Sequence, residues 1–539
     1  MTTAHLDTFI RDRLPPPELQ PDFLFELSEL QYPERLNAAV ELIDRNDPAA
    51  LAVINDSGRW TYGEMADLSD RVARLLTEEE GLVPGNRVLL RGPNNAMLFA
   101  CWLGVLKAGG VVVATMPMLR GGEVATILKR AEVSHALIDS RCLEDFEKGA
   151  AEAGTIRSLV AYDGDAGTGE LERRLAGVAP GFRAVDTHRD DVALVAFTSG
   201  TTGQPKGCVH YHRDVLASCD SFARHVLEPR PGDRWACSAP IAFTFGLGQL
   251  LIFPFRSGGT AVTIEAPSPA ALLDAIERHK ITTLATAPTA YKAILGLMRE
   301  RSLGNSLHTC VSAGEHLPAA TWRAWKDATG LAIVDGIGST EMMHIFISAA
   351  GDDIRPGATG KAVPGYEATV LDDAGEPMAE GTGRLAVKGP TGCRYLDDER
   401  QRDYVLNGWN VTGDTYRRDA DGYYWYLARS DDMIVSSGYN IGAPEVENAL
   451  LSHPAVAECA VIGVPDERWG ESVHAFIVAR DGQQATSEAL EQWCRSELGG
   501  YKCPRSFAFV AKSELPINWG GKVQKRTLRE IYLARFEAN

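Results

Sequence analysis

The chain has 10 cysteines among 539 residues and not one Cys-x-x-Cys pair. That spacing excludes a zinc ribbon and gives no sign of a disulfide framework, so the thiols read as small buried hydrophobes of a reducing compartment. Long apolar runs are missing too. The longest, such as 109–118, fall far short of the ~20 residues that a membrane helix needs. The first residues carry Asp7, Arg11, Asp12 and Arg13 and no apolar centre, which is not the pattern of a secretory signal. Positive charge is scarce, with Lys+Arg 54 against Asp+Glu 72 and a formal net charge of −18. Such a field repels nucleic acid and anionic membranes. The expectation is a cytoplasmic protein with neither as partner, in which local positive groups hold any polyanionic ligand.

What is present is a globular composition, 45% hydrophobic and 23% charged. The length calls for two or more domains. Short apolar runs at 87–90, 111–114, 192–197, 282–285 and 332–334 alternate with amphipathic stretches such as 270–279, which predicts α/β layers. Residues 162–169, rich in Gly and Asp, read as a surface loop. Near residue 430 the character changes, from an aromatic strand through a charged turn to a Gly-punctuated loop and a helix opening at Pro444. The boundary falls at the Arg429–Asp432 turn. It gives a large domain of 1–430 and a small α+β domain of 431–539.

The strongest local signal is FTSGTTGQPKG, residues 197–207, directly after the apolar run ALVAF. Thr198, Ser199, Thr201 and Thr202 offer hydroxyl donors. Gly200, Gly203 and Gly207 let backbone N–H groups approach oxygen, and Lys206 adds charge. This is a phosphate cradle but not a Walker loop: Pro205 stands where the second glycine belongs, and Gly207 where the magnesium-binding Ser/Thr belongs.

These residues resemble the signature of the adenylate-forming superfamily, which holds acyl-CoA synthetases, firefly luciferases and peptide-synthetase adenylation domains. Further segments resemble its motifs in order: LGVLKAGGVVVATMP at 103–117, DGIGSTE at 335–341, WNVTGD at 409–414, ARSDDMIVSSGYNIGAPEVE at 428–447, and LPINWGGKVQKR at 515–526. The resemblance implies a large α/β adenylation domain and a small mobile C-terminal domain. ATP, magnesium and coenzyme A are the implied cofactor and co-substrates, and the implied assembly is a monomer or homodimer.

The resemblance also implies roles. A carboxylate attacking an α-phosphate brings two anions together, so positive charge must stand between them. Lys522 matches the family lysine that does this. Thr340 matches the threonine that touches phosphate and Glu341 the magnesium-binding glutamate, with Thr198 as a second oxygen ligand. Asp414 and Arg429 match the ribose-binding pair. Adenine is expected between the loop holding Gly314, Glu315 and His316 and the segment Gly336–Ile337, with Asp335 reading its amino group. Ile337 departs from the usual tyrosine. Asp431 matches the hinge residue, and Gly438 and Tyr439 the loop lining the pantetheine channel. Lys502 and Arg505 are expected near coenzyme A phosphates and Lys525 at the surface. Alternation puts His210 and His212 on one strand face, but no third metal ligand is evident, so a metal site there is rejected.

The acyl pocket is expected from Phe243 and Phe245 with Gly338, Met342, Met343, His344 and Ile345, since flat and flexible side chains suit a planar ring. GSTEMMHIF together with SGYNIGAPEVENAL looks like the benzoate–CoA ligase branch. DTFIRDRLPPPELQPDF further resembles the 2-aminobenzoate (anthranilate)–CoA ligases. The expected activity is therefore an ATP-dependent aryl acid–CoA ligase acting on 2-aminobenzoate, with benzoate or hydroxybenzoate as alternatives. Rival readings are an enzyme loading a separate carrier protein, a luciferase-like oxygenase, and an inert nucleotide- or acyl-binding regulator.

Overall fold

The computed structural model describes residues 3–164, 167–198, 205–429, 433–436, 439–466, 468–483, 485–498, 500–517 and 523–536. The alternating apolar runs become the strands of two sheets with parallel centres. One runs in the order Ser158–Tyr162, His135–Asp139, Arg87–Arg91, Val111–Thr115, Val192–Thr198, Lys206–Tyr211. Its last pair is an antiparallel hairpin in which Thr198 faces Lys206. Arg87–Arg91 is buried at all five positions, which explains why it reads as a continuous apolar run rather than an alternation.

The second sheet has nine strands. Arg234–Cys237, Thr283–Thr286, Thr309–Ser312 and Ile333–Gly338 are parallel neighbours in that order. Ile345–Ser348 then returns antiparallel to Ile333–Gly338. The strand expected at 332–334 thus extends to Gly338, because this pairing carries it on. The helix expected at 270–279 begins one residue earlier, at Pro269, and Ser268 caps it by accepting from Ala271 N.

The helix Ala96–Lys107 lies in the main core with all twelve residues buried. Its last residue, Lys107, is paired there: Nζ donates to Asp44 at 2.8 Å and to Asp70 at 2.7 Å. A third, antiparallel sheet contains Glu367–Leu371, Gly381–Lys388, Trp409–Arg418 and Tyr424–Arg429. Beyond it, Ile434–Ser436, Tyr439–Ile441, Val456–Asp466, Gly470–Ala479 and Ser506–Phe509 form a small mixed sheet. With the helices Ala443–Leu451 and Ser487–Glu497 it encloses its own core, including Ile434, Val446, Leu450, Val461, Ile477 and Leu490. A separate core is what a small α+β domain requires. Pro444 sits in the first turn of the helix it was expected to open, which starts at Ala443.

All ten cysteines are free, and all but Cys459 are buried. No helix among the described residues is long and apolar enough to cross a membrane.

Candidate active site

Thr198 closes a strand paired in parallel with Val111–Thr115, at the C-terminal end where α/β sheets bind ligands, and Lys206 opens the antiparallel return strand. The Thr198 hydroxyl is buried without a hydrogen-bond partner. Lys206 Nζ donates to the Tyr395 hydroxyl at 2.6 Å and lies 4.5 Å from that ring's centroid. Tyr395 in turn donates to Glu341 Oε1 at 2.5 Å, and Lys206 Nζ stands 3.8 Å from the same oxygen. Glu341 is buried, and Thr340 beside it is held from behind: its carbonyl accepts from His210 Nε2 at 2.7 Å. His210 lies 3.8 Å from Asp214, which Arg394 contacts at 2.7 Å. Burial raises the Asp214 carboxyl, but Arg394, His210 and Arg213 together outweigh it and hold the group at about 2. Thr198 and Lys206, from strands of the first sheet, are thus brought beside Thr340 and Glu341, from the turn between two strands of the second. Among the described residues no group of three His, Cys, Asp or Glu could cage a metal ion. One carboxylate and a free hydroxyl beside a phosphate loop fit a magnesium ion that arrives with its triphosphate.

Ser312, the last residue of its strand, faces Asp335 within the neighbouring parallel strand. Neither Ser312 Oγ nor Asp335 Oδ1 has a hydrogen-bond partner, and burial pushes the Asp335 carboxyl up to about 8. Gly336 and Ile337 continue this strand. Asp414 and Arg429 are cross-strand partners in the third sheet, 3.6 Å apart. Both are part of a wider set of contacts. Gly314 turns its loop with φ +88°, and Glu315 follows. His316 stacks on Tyr426 with centroids 5.5 Å apart and meets Asn448 of the small domain at 3.1 Å. Enclosure lowers its pKa to about 4, so the ring is neutral at working pH.

The third locus is aromatic. His344 is stacked between Phe222 (5.4 Å) and Phe245 (5.8 Å), with Phe253 edge-on at 4.5 Å. It is 2% exposed, and neither ring nitrogen makes a hydrogen bond. Burial drives its pKa to about 3, against an opposing contribution from the Phe245 backbone. Gln249 is on the helical segment that carries Phe245 and Gly248. It is completely buried with both amide atoms unpartnered. Native interiors rarely tolerate such polar atoms without a reason.

The family of AMP-binding enzymes covers residues 41–394, and its C-terminal domain covers 445–522. The chain belongs to the AMP-binding enzyme family. It is 36% identical over 515 residues to the benzoate–CoA ligase of Thauera aromatica, covering 93% of this chain and 97% of the relative. It is 32% identical to a 4-hydroxybenzoate–CoA/benzoate–CoA ligase of Rhodopseudomonas palustris, covering 93% and 95%. Among solved structures, an anthranilate CoA ligase, AuaEII, in complex with anthranoyl-AMP superposes with TM-score 0.87 at 34% identity, over 94% of this chain and 99% of that one. This AMP-binding enzyme is thus an AMP-forming acid–CoA ligase of the benzoate–CoA ligase branch, with ATP and coenzyme A as substrates.

Within the ligase, several expectations need correction. The strand carrying His210 stops at Tyr211, whose N–H donates to Asp214 at 3.0 Å as the next helix begins. His212 therefore turns away from His210 and accepts from Ala38 N instead. Lys525 is not a solvated surface charge but pairs with Glu447 at 2.8 Å, 22% exposed. Lys502 donates to both oxygens of Glu445 at 2.6 and 2.7 Å, so its charge is engaged within the domain. Arg505 stacks on Trp469 at 4.1 Å. Of the expected acyl wall, Phe243 is half-buried and precedes a short helix. Gly338 ends the strand Ile333–Gly338. Met342 and Met343 are fully buried in the main core, with Met343 in the left-handed region at φ +67°. Ile345 packs on Gly336. Ser199, Gly200, Thr201, Thr202, Gly203, Asp431, Gly438 and Lys522 lie outside the described residues, and of Tyr439 only the backbone, in its strand, is described. Sequence reasoning missed Tyr395, Phe222, Phe253 and Gln249. None has a local pattern that would have marked it.

Proposed function

We propose that the chain is an ATP-dependent aryl acid–CoA ligase whose acid is 2-aminobenzoate. One observation carries the choice of acid: a neutral imidazole with both nitrogens uncommitted, walled by three phenyl rings. Aromatic faces suit a benzene ring, and a neutral His344 can accept a hydrogen bond from an ortho amino group. An aliphatic acid would leave His344 unsatisfied. The likeness to an anthranilate CoA ligase supports the same reading, while the benzoate–CoA relatives support benzoate.

The acid's carboxylate attacks the α-phosphorus of ATP, pyrophosphate leaves, and an aryl-adenylate forms. The sulfur of coenzyme A then attacks the acyl carbonyl, and AMP leaves. Lys522 bridges the two anions in the first step. The small domain, 431–539, then turns about Asp431, so that Lys522 withdraws and the Gly438–Tyr439 loop lines the thiol's approach. Thr198, Lys206 and the loop between them hold the β- and γ-phosphates, Asp414 and Arg429 the ribose, and Asp335 the adenine amino group. Magnesium, when bound with the triphosphate, is held by Glu341 and Thr198 and neutralises phosphate charge.

The test is a panel of benzoate, 2-aminobenzoate, hydroxybenzoates and medium-chain acids, ranked by kcat/KM with free coenzyme A. The expected order puts 2-aminobenzoate first. A medium-chain acid ahead of every aryl acid defeats the proposal, and thioester formed only on a carrier protein replaces its second half. Lys522→Ala should abolish adenylation yet still pass acyl groups from pre-made adenylate to coenzyme A.

A further inference from the structure

We infer that Tyr395 is a positioning residue for adenylation: its hydroxyl stands between the phosphate-loop lysine and the metal-binding glutamate and sets where each can point. The inference rests on the reading above that Lys206 and Glu341 meet the triphosphate and its metal.

A phenol has one proton and two acceptor lone pairs, and here the directions are fixed. The proton goes to Glu341 Oε1, and a lone pair receives Lys206 Nζ. The ring cannot drift. Tyr395 is 1% exposed, its backbone N–H donates to Gln401 Oε1 at 2.8 Å, and Tyr404 packs edge-on at 5.8 Å. The segment carrying it is strapped across the strand that follows the phosphate loop. Val209 N donates to Arg394 O, and Leu396 N donates to Gly207 O, each at 2.8 Å. Gly207 and Lys206 are thus tied to Tyr395 by backbone as well as side chain.

The 3.8 Å between Lys206 Nζ and Glu341 Oε1 gives the arrangement its purpose. Two opposite charges at that separation in a buried place attract strongly. Without an intervening hydroxyl they would close into a direct ion pair, turning the ammonium from the phosphates and the carboxylate from the metal. MgATP would then have to break that pair before binding. The hydroxyl satisfies one valence of each group and leaves the lysine's other N–H bonds and the second carboxylate oxygen for the incoming ligand.

Tyr395→Phe keeps the ring and its packing while deleting the hydroxyl. The expected result is an unchanged melting temperature and acid KM, but a MgATP concentration for half-maximal pyrophosphate release raised about ten- to a hundredfold, the loss expected of a hydrogen bond to a charged group. Thioester formation from synthetic aryl-adenylate should keep the wild-type rate. In a Glu341→Gln background the same change should shift the MgATP dependence little further, because no carboxylate remains to capture Lys206. A folded Y395F enzyme with wild-type MgATP dependence overturns the inference. So does equal loss in both half-reactions, or a full additional loss in the Glu341→Gln background. Wild-type protein that releases no pyrophosphate with any aryl acid overturns the functional reading instead.

Discussion

Replacing His344 with Phe separates a pocket built for a substituted ring from one that is merely aromatic. The imidazole is 2% exposed and neither nitrogen makes a hydrogen bond within the protein. Each unmet polar atom in such a place costs about 1–3 kcal/mol. A phenyl ring keeps the stacking on Phe222 and Phe245 and removes that cost, so the empty variant should melt higher. Catalysis should move the other way, and selectively. If His344 accepts from an ortho amino group, losing the acceptor removes ~1–3 kcal/mol from the transition state for 2-aminobenzoate, or about five- to 150-fold in kcat/KM. Benzoate, with nothing to donate, should change by less than about threefold. Crowding is the one confounder, because Gly248 backs onto the imidazole so closely that an added Cβ there would lie 2.3 Å from His344 Cδ2. His344→Leu, nearer in volume, controls for it. Coupled assays with both acids and a thermal melt of the ligand-free protein suffice. Equal losses for the two acids in both variants would refute the reasoning, since His344 would then support the pocket without reading the ring.

Three further outcomes follow from other contacts. At Gly413 an added Cβ would meet Arg429 Nη2 at 2.5 Å, the far end of a flexible side chain, so Gly413→Ala should fold normally. It should raise KM for ATP about tenfold by pushing the arginine off the ribose, with acid KM unchanged in steady-state assays. Lys107→Met should strand Asp44 and Asp70 beside a buried apolar side chain and cost about 3–5 kcal/mol, read as a fall in the denaturant midpoint. Acid stability is the third. His212 and His344 are held at about 3 against 6.5 when unfolded, so the unfolded chain binds protons that the folded one refuses. Stability should fall as pH drops from ~6.5 towards ~3, by up to about 1.4 kcal/mol per pH unit for each group. Asp335, held at about 8, slopes oppositely, so the comparison is between variants: His344→Phe should flatten the acid limb by one proton's worth.

The parts of the site that were legible in the sequence are those made by neighbours along the chain. Thr198 and Lys206 flank one loop after one apolar strand, and Thr340 and Glu341, found through the family resemblance, share one turn. The strands and helices were legible for the same reason, apart from ends such as Gly338 that pairing with Ile345 extends. The parts that were not legible come from distant segments. Tyr395 reaches Glu341 across 54 positions of sequence, and Phe222 reaches His344 across more than a hundred, with no periodicity to announce either. Charged side chains were misplaced because a long lysine finds a carboxylate on the next element, as Lys525 finds Glu447. The His212 error had its own visible cause: Asp214, three residues after Tyr211, is a helix-starting signal that ends the strand.

What joins the legible and illegible parts is a shared lack of satisfaction. Thr198 Oγ1, Ser312 Oγ, Asp335 Oδ1, both nitrogens of His344 and both amide atoms of Gln249 are all buried and unpartnered. They are distributed over the three places where phosphate, adenine and aryl ring are proposed to lie. A ligand that meets such atoms stabilises the folded chain on binding. On an acidic chain this matters doubly, because the overall field works against nucleotide and carboxylate alike. Affinity must then come from these local groups, and a hydroxyl that keeps the phosphate-loop ammonium from collapsing onto its nearest carboxylate is as necessary as the ammonium itself.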